Sequence, residues 1–322
     1  MTVQTIALFG ATGQIGTAIL RALLSSESQF RILQIIPPGA EARAHRAPNL
    51  DTKVINLSLV TVGDLSHVLQ GVDVVISALN GKALEAQAVI QDAAWDARVK
   101  RFYPSEYGMH HIYRKPGDTY GYLHPIWNIK AKCNEQVVRH PAISSGEMTY
   151  TIIGCGDIFN QPREKVWCPW TQTDVNEYTL PIVGNPEAKI DFTHLDDLGR
   201  FVVKTIHHPE SSENTTVNFV SDHISYSEIA GLLEKYSGKR VWKNVMAAET
   251  AHHVLKNPDD APVELKSAPS AFPVDFWFLV RGVQGEGRFW RPKGGIHNSC
   301  FPEVDVKTFE KFFREIFGDY YI

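Results

Sequence analysis

Short apolar runs alternate with amphipathic stretches along the first half of the chain. Thr5–Phe9 is a mostly apolar run that is too short for a helix, which is typical of a buried parallel strand. Residues 17–24 place their apolar side chains on one helical face and predict a helix. The same reasoning predicts strands at residues 30–36, 53–56, 72–79, 101–103, 149–153, 191–193 and 216–220, and helices at 64–69, 84–97, 127–139, 195–206, 247–256 and 306–317. This alternation indicates an α/β fold with a Rossmann-type doubly wound parallel sheet.

The second half of the chain has a different pattern of residues. Residues 161–186 carry Pro, Trp, Asn and Gly without a long period, which predicts loops and short strands. Residues 257–273 are rich in Pro and Asp and predict a surface loop, whereas Ser225 followed by Glu228 predicts a capped helix start. A smaller C-terminal α/β substrate domain is therefore expected. The predicted boundaries are 1–155 for the domain of the doubly wound sheet, with a returning segment near 188–222, and 156–187 with 223–322 for the smaller domain.

Composition narrows the class of protein. The chain has 322 residues and a formal net charge of −4, so it lacks the basic excess of a nucleic-acid partner. Its four cysteines form no CxxC and no zinc spacing with histidine, which favours reduced thiols and no metal. No signal peptide and no apolar run long enough for a bilayer is visible. We expect a cytoplasmic protein without a membrane partner.

A glycine-rich turn follows the first predicted strand directly. In Rossmann loops the first glycine permits the tight turn, the second lets a pyrophosphate approach the backbone, and the third lets the helix pack on the strand. Free backbone N–H groups at the helix start would then face the phosphates. The turn therefore predicts a dinucleotide site, whose residues are Gly10, Thr12, Gly13, Gln14, Ile15 and Gly16. The alternative is a tight turn that binds nothing.

The end of the second predicted strand bears on which dinucleotide binds. NAD sites place an acid there for the ribose hydroxyls, but this chain reads Ile35-Ile36-Pro37-Pro38-Gly39. Arg43 and Arg46 follow and could meet a 2′-phosphate by charge-assisted hydrogen bonds. NADP(H) is therefore the predicted cofactor, and which arginine serves it is left open. The alternative is that both are solvated surface arginines.

Residues 99–108, Val-Lys-Arg-Phe-Tyr-Pro-Ser-Glu-Tyr-Gly, resemble the Val-Lys-Arg-Phe-x-Pro-Ser-Glu-Phe-Gly segment of the isoflavone reductase-like family. Residues 10–16, 72–77, 191–199 and 301–304 are similar to other segments of that family, so the resemblance is nearly full length. The family belongs to the NmrA-like group of atypical short-chain dehydrogenases. It includes phenylcoumaran benzylic ether reductases and pinoresinol-lariciresinol reductases.

The resemblance implies a catalytic lysine on the helix after this motif. Lys130 matches that position best and Lys132 is the fallback, although Asn134-Glu135 stand where the family has an arginine pair. No tyrosine is followed by a lysine four residues later, so the usual Tyr-x-x-x-Lys pair is absent. A partly desolvated lysine with a lowered pKa could act as general acid or base, or orient the nicotinamide ribose. An exposed helix lysine is the alternative.

Further site candidates are polar groups at strand ends and aromatic side chains. Ser105 and Glu106 follow a strand end, where ligands collect, and Glu106 is expected to cap a helix or to brace the site rather than to transfer protons. The cofactor candidates outside the turn are Arg43, Asn80, Gln87, Ser105 and Lys130, and the substrate candidates are Tyr107, His124, Phe159 and Phe276. Gln87 could equally be a solvated helix residue. His110 and His111 suggest a metal, but no third ligand stands at a telling spacing.

These observations predict an NADPH-dependent reductase that delivers hydride to a C=C, C=N or quinone-methide-like carbon. Its substrate would be an aromatic or heterocyclic small molecule, with Lys130 managing the proton. One alternative is a redox-sensing regulator that binds dinucleotide without turnover. Another is an enzyme that keeps the cofactor as a scaffold for a non-redox step such as a cyclisation. A homodimer is left open.

Overall fold

The computed structural model describes residues 4–108 and 124–318. Their strands are β1 Thr5–Phe9, β2 Arg31–Ile36, β3 Leu50–Val54, β4 Val74–Ser77, β5 Arg101–Tyr103, β6 Thr149–Cys155, β7 Asp157–Ile158, β8 Tyr178–Val183, β9 Ile190–Thr193, β10 Thr215–Phe219, β11 Asp222–Ile224 and β12 Val241–Met246. Their α-helices are α1 Gln14–Leu24, α2 Val62–Val68, α3 Gln87–Asp96, α4 Pro125–Arg139, α5 Pro141–Ser144, α6 Leu195–His207, α7 Tyr226–Ser237, α8 Ala248–Lys256, α9 Val263–Ser267, α10 Val274–Gly285 and α11 Phe309–Phe317.

A parallel sheet organises the first part of the fold. Within the described residues it has seven strands in the order β10-β6-β5-β4-β1-β2-β3. The order 3-2-1-4-5-6 within it is that of a Rossmann sheet, with β10 added beside β6. The predicted doubly wound sheet is therefore confirmed.

Both faces of this sheet are buried along its inner strands, which explains their apolar runs, whereas the edge strand β3 is exposed. Ile6 and Leu8 of β1 point to the core that α1 and α6 cover, while Ala7 and Phe9 point to the core on the opposite face. The helices α1 and α6 approach closely because Gly199 has no side chain: a Cβ there would lie 2.5 Å from the Ala18 carbonyl oxygen. The carboxyl ends of the strands are thus held at one rigid edge.

Two small sheets and several helices follow in the C-terminal part. In the part of the chain that is described, one sheet has the order β11-β9-β7 and the other pairs β12 with β8. They pack with α7, α8, α10 and α11 around an aromatic core that includes Trp170, Phe192, Phe278 and Phe309. Across the same residues, 4–108 and 124–318, no helix is both long and apolar enough to cross a membrane.

Several element predictions differ from the structure. Helix α1 begins at Gln14 rather than residue 17, and residues 81–86 form a 3-10 turn before α3. Residues 257–273 are more than a surface loop, because they contain α9 and because Ser270 and Ala271 donate hydrogen bonds to the buried Glu164. The sequence analysis did not predict β12 or α10. Residues 276–284 of α10 are all buried, so the helix has no polar face to reveal its period.

Candidate active site

The turn between β1 and α1 has the backbone that its glycines permit. Gly10 has a φ of +78°, and a Cβ on it would lie 2.5 Å from the Ala78 carbonyl oxygen. A Cβ on Gly16 would lie 2.1 Å from the Gly10 carbonyl oxygen, so only glycine lets α1 start this close to the strand. At Gly13 a Cβ would meet only the Gly10 oxygen, at 3.3 Å. Gly10 and Gly16 therefore shape the turn, and Gly13 is the glycine that faces open space.

The first turn of α1 is not capped by the chain itself. Gly13 is the N-cap residue and has no side chain to cap the helix, and the first turn carries no acid. The first N–H groups of a helix have no partner within the helix, and they favour an anion together with the helix dipole. This helix start is therefore suited to a phosphate group.

A cavity of about 400 Å³ begins at this turn. Its wall includes Thr12, Gly13, Gln14, Ile15, Arg43, Asn80, Ser105, Tyr107, Trp127, Lys130, Asp157, Gln161, Arg163, Glu164, Trp167, Phe272, Phe276 and Phe289. The glycine-turn residues, polar groups at strand ends and aromatic side chains thus line one continuous space. An apolar cavity with a few polar groups is the usual form of a small-molecule site.

Lys130 lies on the cavity wall, on α4. The sequence fixes the start of this helix: the His124 side chain accepts a hydrogen bond from the Ile126 N–H, and Pro125 is the first helical residue. The Lys130 ammonium is half-buried and donates to the Glu106 carbonyl oxygen at 2.7 Å. Burial lowers the pKa of Lys130 from its ordinary value, and the Glu106 carboxylate opposes this. Lys132, in contrast, is exposed and lies outside the cavity.

The Glu106 side chain is held behind the cavity wall. Glu106 is buried, and its carboxylate accepts a hydrogen bond from the Asn134 side-chain amide. Asn134 lies one helical turn beyond Lys130 on α4, so both side chains can donate hydrogen bonds to Glu106. The expectation that Glu106 braces the site agrees with this arrangement.

Ser105 and Gln87 form a second buried pair at the strand ends. The Ser105 hydroxyl donates to the Leu79 carbonyl oxygen at 2.5 Å, and the Ser105 N–H donates to the Gln87 Oε1 at 2.8 Å. Gln87 is buried, which excludes a solvated helix residue, but it does not line the cavity. Gln87 therefore positions Ser105, and Ser105 and Asn80 are the groups on the wall. Of the two candidate arginines, Arg43 lines the cavity and Arg46 does not.

Tyr107 combines an unusual backbone with a buried hydroxyl. Its φ is +44°, an uncommon value for a bulky residue, and its N–H donates to the Ile153 carbonyl oxygen. Tyr107 lines the cavity, while its hydroxyl is buried and has no hydrogen-bond partner among residues 4–108 and 124–318. Burial raises the pKa of Tyr107 far above its ordinary value, so the hydroxyl keeps its proton.

Two of the predicted substrate residues lie elsewhere. Phe159 is fully buried and stacks on Phe309 at 4.2 Å between ring centroids, so it belongs to the aromatic core and not to the cavity wall. His124 is also off the wall, because it caps α4 and its Nε2 lies 3.3 Å from the Asp275 carboxylate. Phe276 lines the cavity as predicted. Aromatic character in the sequence therefore did not distinguish residues of the core from residues of the cavity wall.

The metal hypothesis concerned His110 and His111, which lie outside the described residues. Within the described ranges, no three His, Cys, Asp or Glu side chains come together in a way that could hold a metal ion.

The sequence analysis missed the carboxylates on the cavity wall. Asp157 and Glu164 both line it, and neither belongs to a recognisable motif. One signal was available for Asp157, which follows the carboxyl end of the strand predicted at residues 149–153. Ligands collect at that edge of a parallel sheet.

The strand order and the glycine turn define a Rossmann-type protein. The model of the NmrA-like family matches residues 2–272, and the chain belongs to that family. It is similar to phenylcoumaran benzylic ether reductase TP7 of Nicotiana tabacum, with 23% identity over 314 residues that cover 95% of this chain and 96% of the relative. It is also similar to eugenol synthase 2 of Clarkia breweri, with 24% identity covering 95% and 96% of the two chains.

Solved structures share the whole fold. The complex of leucoanthocyanidin reductase with NADPH from Vitis vinifera has a TM-score of 0.71 at 18% identity, covering 97% of this chain and 98% of that one. AtPrR2 with NADP+ and (+)-pinoresinol has a TM-score of 0.72 at 17% identity, covering 98% and 99% of the two chains. The predicted family and fold class are therefore confirmed.

Proposed function

We propose that this protein is an NADPH-dependent reductase of an aromatic or heterocyclic small molecule, acting on a C=C, C=N or quinone-methide-like carbon in secondary metabolism. One observation carries the proposal: a single cavity is lined by the glycine turn, by Lys130 and by aromatic side chains. A dinucleotide on the turn and a flat substrate on the aromatic wall would share that space. The relatives with reductase names support the same chemistry.

The residues present fit the proposed cofactor. The uncapped start of α1 suits a pyrophosphate, and the open space at Gly13 admits it close to the backbone. Arg43 would meet the 2′-phosphate, because β2 ends without an acid and Arg43 lies on the cavity wall. When bound, NADPH supplies the hydride.

Lys130 would manage the proton. Burial lowers its pKa, which brings the ammonium closer to the range where a general acid works well at neutral pH. The Glu106 carbonyl fixes the position of its Nζ, and Asn134 fixes Glu106 in turn. The aromatic side chains would exclude water and hold a flat substrate against the cofactor. Tyr107 would keep its proton and contribute shape.

The proposal can be tested with the purified protein, NADPH and a panel of imines, enones and phenolic quinone methides. We expect a member of the panel to cause loss of the reduced-cofactor absorbance together with a product two hydrogens heavier by mass. Lys130→Ala should lower the rate by about 10²-fold or more, as for removal of a general acid. Lys132→Ala is the matched control, because this lysine lies on the same helix but is exposed.

Two other results would contradict the proposal. Tight NADPH binding without oxidation by any member of the panel would favour a redox-sensing regulator. Product formation without oxidation of NADPH would point to a non-redox step such as a cyclisation.

A further inference from the structure

Asp157 differs from the other acids near the cavity in how its carboxylate is held. It lies at the start of β7, lines the cavity, and keeps 12% of its side chain accessible. Glu164, the other carboxylate on the wall, uses both oxygens inside the chain: Oε2 accepts from the Ser270 hydroxyl and Oε1 from the Ala271 N–H. Both Glu164 oxygens therefore already have a hydrogen-bond donor within the chain.

Both side chains that donate hydrogen bonds to Asp157 donate to the same carboxylate oxygen. The Gln284 amide donates to Oδ2 at 2.8 Å, and the Arg281 guanidinium approaches the same oxygen at 3.4 Å. The Ile158 backbone N–H also contacts the carboxylate. Among the described residues no side chain donates to Oδ1, and the residue lines the cavity, so this oxygen is available to a ligand there.

The pairing with Arg281 favours the ionised form of the Asp157 carboxylate. Burial raises the pKa of Asp157, while Arg281 and Gln284 oppose that rise. Arg281 is almost fully buried and cannot lose its proton in a protein. A neutral Asp157 would leave this guanidinium as an uncompensated buried charge, which is strongly unfavourable. The pair therefore presents a fixed hydrogen-bond acceptor on the cavity wall, which also carries the aromatic side chains of Trp167 and Phe276.

We infer that Asp157 is a specificity-determining residue that accepts a hydrogen bond from a phenolic hydroxyl or a ring N–H of the substrate. This inference rests on the proposed function and names the substrate class more narrowly: an aromatic molecule with a free O–H or N–H on the part that enters beside Trp167 and Phe276. A ligand that lacks this donor leaves a buried carboxylate poorly solvated, and sites of this kind reject such analogues.

Two probes that differ in one group test the inference: eugenol and its methyl ether, titrated against the protein saturated with NADP+. Trp127 and Trp167 lie on the wall and report binding by their fluorescence. We expect the wild type to bind eugenol about tenfold or more tightly than the ether, the usual effect of a hydrogen bond to a charged group. Equal affinities, or no binding of either probe, would overturn the inference.

Asp157→Asn sharpens the test. The amide oxygen would keep the contacts with Gln284 and Arg281, so its NH₂ would face the cavity and turn an acceptor into a donor. The preference for eugenol should disappear or reverse. If Asp157 had a purely structural role, the substitution would weaken the binding of both probes equally and leave the ratio of their Kd values unchanged.

Asp191→Asn is the matched control. Asp191 is a buried carboxylate paired with His223 outside the cavity, so its loss should leave the ratio as in the wild type. If Asp157→Asn does not fold, equal affinities of the wild type for the two probes would still overturn the inference. Failure to bind NADP+ would contradict the proposed function, whereas NADP+ binding without a preference for eugenol would contradict only the role of Asp157.

Discussion

Lys130 and Asn134 hold the same residue from one helix. The Lys130 ammonium donates to the backbone carbonyl of Glu106 at 2.7 Å, and the Asn134 amide donates to the Glu106 side chain. Helical spacing places both on one face of α4, so the Glu106 segment is fixed at two atoms. The position of the proposed proton donor thus depends on a buried group that does not itself line the cavity.

The pH dependence of turnover should follow the protonation of the Lys130 side chain. Burial lowers its pKa, and a general acid works only while protonated, so kcat/KM should fall as the pH rises through this lowered pKa. In Lys130→Arg the side chain stays protonated at every accessible pH, so the alkaline fall should vanish while kcat drops about 10²-fold. The measurement is the pH profile of NADPH oxidation for both proteins. An alkaline fall that persists in Lys130→Arg would assign it to another group.

Asn134→Ala should affect stability and turnover together. It removes a buried donor to a charged group, which should lower the free energy of unfolding by about 1.5–3 kcal/mol. It should also lower kcat more than it changes KM, because Lys130 loses its support. Urea unfolding and steady-state kinetics measure the two effects. The control is Glu135→Ala, an exposed neighbour whose ion pair with Arg139 contributes about 0.5 kcal/mol or less; a variant of Asn134 that behaves like it would contradict this role.

The sheet could be predicted from the sequence because its inner strands are buried on both faces and its helices are amphipathic. Ile6 and Ala7 are both apolar although they face opposite cores. The glycine turn was also predictable, since a Cβ at Gly10 or Gly16 would collide with a backbone oxygen and only glycine avoids this. Lys130 depended on the family resemblance. Spacing on a helix does not distinguish a lysine that enters a cavity from one, such as Lys132, that faces water.

The substrate end could not be predicted for a physical reason. Phe159 and Phe276 are both aromatic and buried, and only the packing of α10 and α11 decides that one joins the core and the other the cavity. The helix α10 itself carries Arg281 among apolar side chains, so its pattern has no polar face. Asp157 meets Arg281 across 124 residues of sequence, a pairing that no local pattern records.

Two alanine substitutions in the glycine turn should affect different properties: Gly16→Ala the stability, and Gly13→Ala the affinity for NADPH. Gly16→Ala puts a Cβ 2.1 Å from a backbone oxygen, which should lower the free energy of unfolding by about 1–3 kcal/mol or more. Gly13→Ala meets only the Gly10 oxygen, at 3.3 Å, and Gly13 has a φ of −80° that alanine adopts readily. It should therefore fold nearly normally and bind NADPH about tenfold more weakly, because its methyl group occupies the approach of the pyrophosphate. Urea unfolding and NADPH titration separate the two, and unchanged NADPH affinity in Gly13→Ala would contradict the phosphate role of this turn.

Arg43 should determine the preference of the protein for NADPH over NADH. It lines the cavity beyond a β2 strand that ends without an acid, and a charge-assisted hydrogen bond to a 2′-phosphate contributes about 1.5–3 kcal/mol. Arg43→Ala should therefore raise the Kd for NADPH about tenfold or more and leave the Kd for NADH nearly unchanged, because NADH has no group for this side chain to meet. The effect on NADPH should shrink at high salt, since screening weakens an exposed contact between charges. Arg46→Ala is the control, as this arginine is exposed and off the cavity wall. If Arg43→Ala weakens both dinucleotides equally, the side chain supports the loop rather than the phosphate, and the preference for NADPH must come from another group.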